Sequence, residues 1–96
     1  MIDLSVFSTP QEIKTQTAQK AKKRRKAKKM TQQQLALASG VSLGSLKRFE
    51  QTGEISFSSL LNIAWALDSL DEFEGLFSKK TYNSIQDVLD EVKRSS

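Results

Sequence analysis

Residues 31–50 read TQQQLALASGVSLGSLKRFE, and their pattern decides the fold. Thr31 is a good N-cap for a first short helix, and Gln34, three residues on, completes a capping box. Leu35, Ala36 and Ala38 give that helix a small apolar face. Gly40 stands where the helix must stop and the chain must turn sharply, a place that favours a residue tolerant of positive φ. Ser42 then caps a second helix whose inner face is Leu46 and Phe49. Small Ala36 beside the glycine turn lets the two helices cross closely. The spacing predicts a helix-turn-helix, a motif that lays its second helix in the major groove of DNA.

The charge of the chain agrees with that expectation. Residues 1–49 carry 11 basic and 2 acidic side chains, whereas residues 50–96 carry 4 basic and 9 acidic. Most of the positive charge falls in Lys20, Lys22, Lys23, Arg24, Arg25, Lys26, Lys28 and Lys29, immediately before the motif. A basic half suits a phosphate backbone and an acidic half is repelled by it. One side of the protein is therefore expected to meet DNA and the other to face elsewhere. On a helix these eight cations cannot all point one way, and a charge run is most often a solvated face.

With 96 residues and 38% hydrophobic content, the chain suits one small domain with a modest core. It has no Cys and no His, which removes disulfides, thiolate chemistry and the usual zinc sites. No glycine-rich phosphate loop or paired carboxylates suggest a pocket, so neither an enzyme nor a cofactor is expected. No apolar run approaches the ~20 residues of a bilayer span, and MIDLSVFSTP has none of the marks of a signal peptide. The expectation is a cytoplasmic protein with no membrane partner.

Along the rest of the chain, Thr9-Pro10-Gln11-Glu12 is a helix start, with cap, proline and acid in order. The first helix is expected over 10–29, with Ile13, Ala18, Ala21 and Ala27 as its few apolar residues; the alternative for the basic run is a flexible arm, but its Ala and Lys content favours helix. A turn is expected over 51–54. Ser56 or Ser58 caps a fourth helix marked by Leu60, Ile63, Ala64 and Leu67, which breaks over 68–71. A short fifth helix carries Leu70, Phe73, Leu76 and Phe77. Asn83 or Ser84 opens a last helix with Ile85, Val88, Leu89 and Val92 on one face and Asp87, Asp90 and Glu91 along an edge. Before Thr9, Ile2, Leu4, Val6 and Phe7 nearly alternate with polar residues, as either a short strand or an arm. The organisation expected is an N-terminal arm over 1–9, a helix-turn-helix domain over 10–78, and a C-terminal amphipathic helix over 79–96.

The segment resembles the Xre/Cro family of helix-turn-helix regulators, which includes the phage lambda repressor. The resemblance is carried by Gln32, Leu35, Ala36, Gly40, Val41, Ser42, Leu46, Arg48 and Glu50 and runs over about residues 21–77. It implies an all-α, lambda-repressor-like five-helix domain, here with an additional C-terminal helix. One departure is Gln33, where the family often has Glu, so an ion pair built on that acid is absent. The resemblance also implies that Gln32 contacts the DNA backbone or braces a recognition side chain. It implies, further, that Arg25 pairs with Glu50 to tie the first helix to the end of the third, a structural role for both.

The residues expected to meet DNA are Gln32, Gln33, Ser42, Leu43, Gly44, Ser45, Lys47 and Arg48, with Lys28 and Lys29 from the basic run. Base edges are read by short or forked donors near the start of the recognition helix. Ser45 suits a base edge, Leu43 a thymine methyl, Gly44 a close backbone approach and Lys47 a phosphate; the bland reading makes all of them solvated helix residues. Trp65 falls off the stripe of its helix. It is either a contact with another chain or a cover laid over residues 4–7. The surface expected to meet a second copy or another protein comprises Trp65, Phe73, Leu76, Phe77, Ile85, Val88 and Leu89. The acids at 68, 71, 72 and 74 read as helix N-terminal charges.

The function expected is sequence-specific repression of transcription by a homodimer on a palindromic operator, since one recognition helix reads few base pairs and two placed ~34 Å apart read a palindrome. Small size, the acidic C-terminal half and the last helix point to the autoregulatory antitoxin of a toxin–antitoxin operon. The run RRKAKKMTQQQLA with its short tail also looks like HipB-type antitoxins, which implies a HipA-like kinase toxin as partner. The alternatives are a stand-alone phage-type or restriction-controller regulator without a toxin, and an interaction module that has lost DNA binding.

Overall fold

The computed structural model describes residues 8–79 and 89–93. Among them there are no strands, and four α-helices and one 3-10 turn follow in order: α1 (Pro10–Ala27), α2 (Gln32–Ser39), α3 (Leu43–Thr52), α4 (Phe57–Ala66) and the 3-10 turn Leu70–Phe73. Residues 89–93 are also helical. The fold is all-α, the arrangement of a lambda-repressor-like helix-turn-helix domain.

Each of α1 to α4 starts on a side-chain cap. Thr9, Thr31, Ser42 and Ser56 accept from the backbone N–H three residues ahead, which satisfies one of the donors a helix start leaves orphaned. At Thr31 the capping box is complete: the Gln34 side chain accepts from the Thr31 N–H at 2.8 Å while Thr31 Oγ1 accepts from the Gln34 N–H at 3.1 Å. Two helices end on left-handed glycines, α2 at Gly40 (φ 71°) and α3 at Gly53 (φ 81°). A side chain is tolerated poorly there.

The core gathers where the four helices meet. Ala18, Leu35, Ala36, Val41, Leu46, Phe49, Ile63 and Leu67 are buried together, with Leu60, Ile55 and Met30 packed against them. Packing of α1 on α3, α2 on α3 and α2 on α4 holds α3 from two sides, so its position is set by the core.

Several boundaries differ from the sequence reading. The first helix stops at Ala27, two residues short of Lys29, because Lys29 turns left-handed at φ 57° and the Met30 N–H returns to the Arg25 carbonyl at 3.1 Å. Thr52, expected in a turn, closes the last turn of α3. In α2, Ala38 is exposed and Ser39 takes the inward place; the Ser39 hydroxyl donates to the Ala36 carbonyl at 3.3 Å and accepts from the Val41 N–H at 3.3 Å, stitching the turn. Ser56, not Ser58, caps α4. The expected fifth helix is reduced to one 3-10 turn: Phe77 lies beyond it with φ 60° and is wholly exposed. Ile13, one of the few apolar residues of α1, is 49% exposed. Residues 1–7 of the N-terminal arm and the C-terminal residues Ile85, Asp87 and Val88 lie outside the described residues, and Leu89 and Val92 of the last helix are exposed.

Candidate nucleic-acid interface

α3 buries Leu46 and Phe49, which leaves Gly44, Ser45, Lys47, Arg48 and Gln51 exposed on its other side. Gly44, Lys47, Arg48 and Gln51 recur at i, i+3, i+4 and i+7 and form one stripe. No acid lies on that stripe. Its single helical glycine, Gly44, has no heavy atom within 4 Å of where a Cβ would stand. The helix starts on Ser42, whose hydroxyl accepts from the Ser45 N–H at 3.1 Å and donates to Ser45 Oγ at 2.8 Å. That contact fixes the Ser45 hydroxyl at the front of the helix. Leu43 is half-buried and packs against the core, so less of it is offered outward than the sequence reading assumed.

The one acid of α3 is Glu50, and its charge is met from inside. Arg25 Nε and Nη2 donate to Glu50 Oε2 and Oε1 at 2.8 and 3.0 Å, and Arg25 Nη1 donates to the Met30 carbonyl at 2.8 Å. Only 8% and 4% of the two side chains is exposed. Gln32 donates its amide to Glu50 Oε1 at 3.0 Å, so it braces this pair from the start of α2. Burial pushes the Glu50 carboxyl up. The hydrogen bonds from Arg25 and Gln32 and the charges of Arg25 and Lys22 outweigh it and hold the group below the ordinary carboxylate value. Such two-point pairing is the strong geometry for a guanidinium and a carboxylate. It ties α1, α2 and α3 together directly behind the exposed stripe.

The basic run divides around α1. Lys22 joins Gln32, Lys47, Glu50 and Gln51 in lining a shallow cleft of about 290 Å³. Lys28 Nζ instead donates to Asp68 Oδ2 at 2.7 Å, and Arg24 donates to the carboxylate of Glu72 and, at 2.7 Å, to the Ser69 hydroxyl. These bonds hold the Asp68 and Glu72 carboxyls below their ordinary range. Asp68 and Glu72 thus serve as partners of Lys28 and Arg24, and Glu72 also stands with Asp71 in the first turn of the 3-10 helix, in line with its reading as a helix N-terminal charge. Lys28, expected at DNA, is tied to Asp68 and does not line the cleft. Lys29 and Gln33 are exposed. A second shallow cleft, lined by Ser45, Arg48, Glu54, Ile55, Ser56 and Ser59, opens between α3 and the start of α4. Lys22 and Gln51 were not singled out from the sequence. The signal for Gln51 was its phase, one turn beyond Lys47 and Arg48, hidden by its assignment to a turn.

Trp65 is 65% exposed on α4, Phe73 is half-buried, and Leu76 is 48% exposed. Among the described residues no helix is long and apolar enough to cross a membrane, and no acid cluster could hold a metal ion.

A capped helix, a left-handed glycine turn and a second capped helix with an acid-free, basic outer stripe define a helix-turn-helix DNA-binding unit. The chain belongs to the helix-turn-helix family HTH_3, whose family model matches residues 22–73. It is a DNA-binding transcription regulator of the Xre/lambda-repressor type. Searches of curated proteins and of solved structures found no match.

Proposed function

We propose that this protein is a sequence-specific transcriptional repressor that binds duplex DNA as a homodimer, with α3 in the major groove of each half-site. The observation that carries the reading is the position of Glu50. Glu50, the one acid of α3, is ion-paired behind the stripe by Arg25 and hydrogen-bonded there by Gln32, so α3 turns a face of Gly44, Ser45, Lys47 and Arg48 outward on a rigid backing. In this reading Ser45 and Arg48 meet base edges, Gly44 admits the backbone close to the DNA, and Lys47, Lys22, Gln33 and Lys29 meet phosphates.

The narrower reading is the autoregulatory antitoxin of a toxin–antitoxin operon with a HipA-like toxin. Its support is the resemblance of residues 24–36 and the amphipathic pattern of the last helix. The acidic half lends it less support than the sequence suggested, because Asp68 and Glu72 already face Lys28 and Arg24.

The test is a titration of the full chain against its own upstream DNA, with random DNA as control, at two salt concentrations. Specific repression predicts tighter binding to the upstream fragment, with the preference persisting at the higher salt. Arg48→Ala should erase about 1–3 kcal/mol of that preference, the worth of one good base contact, while leaving the melting temperature nearly unchanged. Equal, salt-sensitive binding to both fragments would sink the claim of sequence readout.

A further inference from the structure

Among the glycines, Gly40 and Gly53 are explained by the fold: both take left-handed φ values, 71° and 81°, at which a side chain is strained. Gly44 is different. It stands in the first turn of α3 and its φ is not positive. A Cβ built on it meets no heavy atom within 4 Å. Nothing in the domain forbids a side chain there, and alanine would favour the helix, because glycine gives up more backbone freedom on folding. The fold gives no reason for a bare backbone at this position, so the reason is sought on the side that α3 turns to DNA.

The surroundings of Gly44 define what can fill the space above it. Leu43, the residue before it, is half-buried against the core and offers only an apolar edge. Lys47 and Arg48 stand three and four residues on, the positions that neighbour Gly44 on the surface of a helix. Helical side chains lean back towards the N-terminus, so the aliphatic stems of these two flank the space and their charged heads reach past it. They do not enter it, since the Cβ position is clear to 4 Å. What remains is a shallow notch with a Cα floor and largely apolar walls. Base edges in the major groove present donors and acceptors with one exception, the 5-methyl of thymine, which projects as an apolar group. A polar edge seated in the notch would lose water and find no side-chain partner there.

We infer that Gly44 is a specificity-determining residue whose notch receives the 5-methyl group of a thymine in each half-site. The inference rests on the sequence-specific reading above and names one base that it selects. Shape makes the selection. The thymine methyl takes the space that an alanine side chain would take, so glycine with thymine is complementary and alanine with thymine collides. Alanine with uracil, which lacks the methyl, is complementary again.

The experiment is a two-by-two titration. Wild type and Gly44→Ala are each titrated with the upstream fragment made once with thymidine and once with deoxyuridine throughout, and with random DNA as control. The melting temperature of Gly44→Ala should hold or rise. On the thymine form of the upstream fragment the variant should bind about tenfold more weakly than wild type, the scale on which a close-fitting site rejects one extra carbon. On the uracil form most of that loss should disappear, and this coupling between residue 44 and the methyl is the signature of their contact. A loss equal on the two forms, or as large on random DNA, would put sugar or phosphate against Gly44 and overturn the inference. Wild-type affinity of Gly44→Ala for the thymine form would overturn it too, as would a fall in melting temperature, since the fold would then need the glycine. A wild type that binds upstream and random DNA equally overturns the sequence-specific reading and the inference with it.

Discussion

Arg25 and Glu50 show how one pair of side chains can fix the posture of a recognition helix. A guanidinium and a carboxylate with 8% and 4% of their side chains exposed are stable only because each oxygen and nitrogen finds a partner, including the Met30 carbonyl and the Gln32 amide. Removing one member strands the other charge away from water. Arg25→Met should therefore destabilise the fold by about 3–5 kcal/mol, read as a lower midpoint in urea unfolding. pH dependence follows from the same pair. The Glu50 carboxyl is held below its ordinary value of 4.5, so its contribution is fully present above that value and is lost as pH falls through the lowered one. Acid unfolding of the wild type should show this loss below about pH 4.5, and Glu50→Gln should flatten the curve there. A wild-type stability that is level through that window would show that the pair adds nothing.

The helices and turns were largely legible in the sequence, and the exceptions have physical causes. Caps and glycines are local signals, so Thr31, Gly40 and Ser42 marked α2 and α3 without knowledge of the rest. The end of α1 has no glycine to mark it: Lys29 takes the left-handed turn itself, and the Met30 N–H reaches back to Arg25, whose side chain holds the Met30 carbonyl. Ser39 displaced Ala38 from the core because its hydroxyl closes the turn, and apolarity alone pointed the other way. The outward stripe of α3 was legible up to Arg48, and Gln51 was missed with the helix end. The two left-handed glycines look alike in sequence but differ in surroundings. A Cβ at Gly53 would stand 2.8 Å from the Lys14 carbonyl carbon and Cβ, whereas one at Gly40 meets nothing within 4 Å. Gly40→Ala should cost only the left-handed strain, about 1–2 kcal/mol. Gly53→Ala should cost clearly more, because α1 must also move off α3, where Lys14 Nζ meets Glu54 at 3.0 Å and the Gln11 amide meets the Thr52 carbonyl at 3.3 Å. Paired thermal melts of the two variants decide it, and equal losses would mean that α1 yields freely at this point.

Across the molecule, the sorting of charge matters more than its total. The sequence gathers eight cations before the motif, and composition could not say which serve DNA. The fold divides them: Arg25 is buried in its ion pair, Lys22 shares a cleft with Lys47 and Gln51 of α3, and Arg24 and Lys28 are tied to Glu72 and Asp68. Those last two pairs are substantially exposed and add little stability. Their larger effect is to give two of the cations acid partners within the fold, which helps to keep the basic field centred on α3. Phosphate contacts reveal themselves through salt, since log K against log salt falls by about 0.9 for each one. Lys22→Ala should therefore weaken binding to upstream and random DNA alike and reduce that slope by roughly 0.9, the signature of one lost phosphate contact. Arg24→Ala removes the same charge and should leave the slope where it was. If the two substitutions shift it equally, the cations of α1 act on DNA as a diffuse cloud, and the division of the basic run between two flanks of the helix has no bearing on binding.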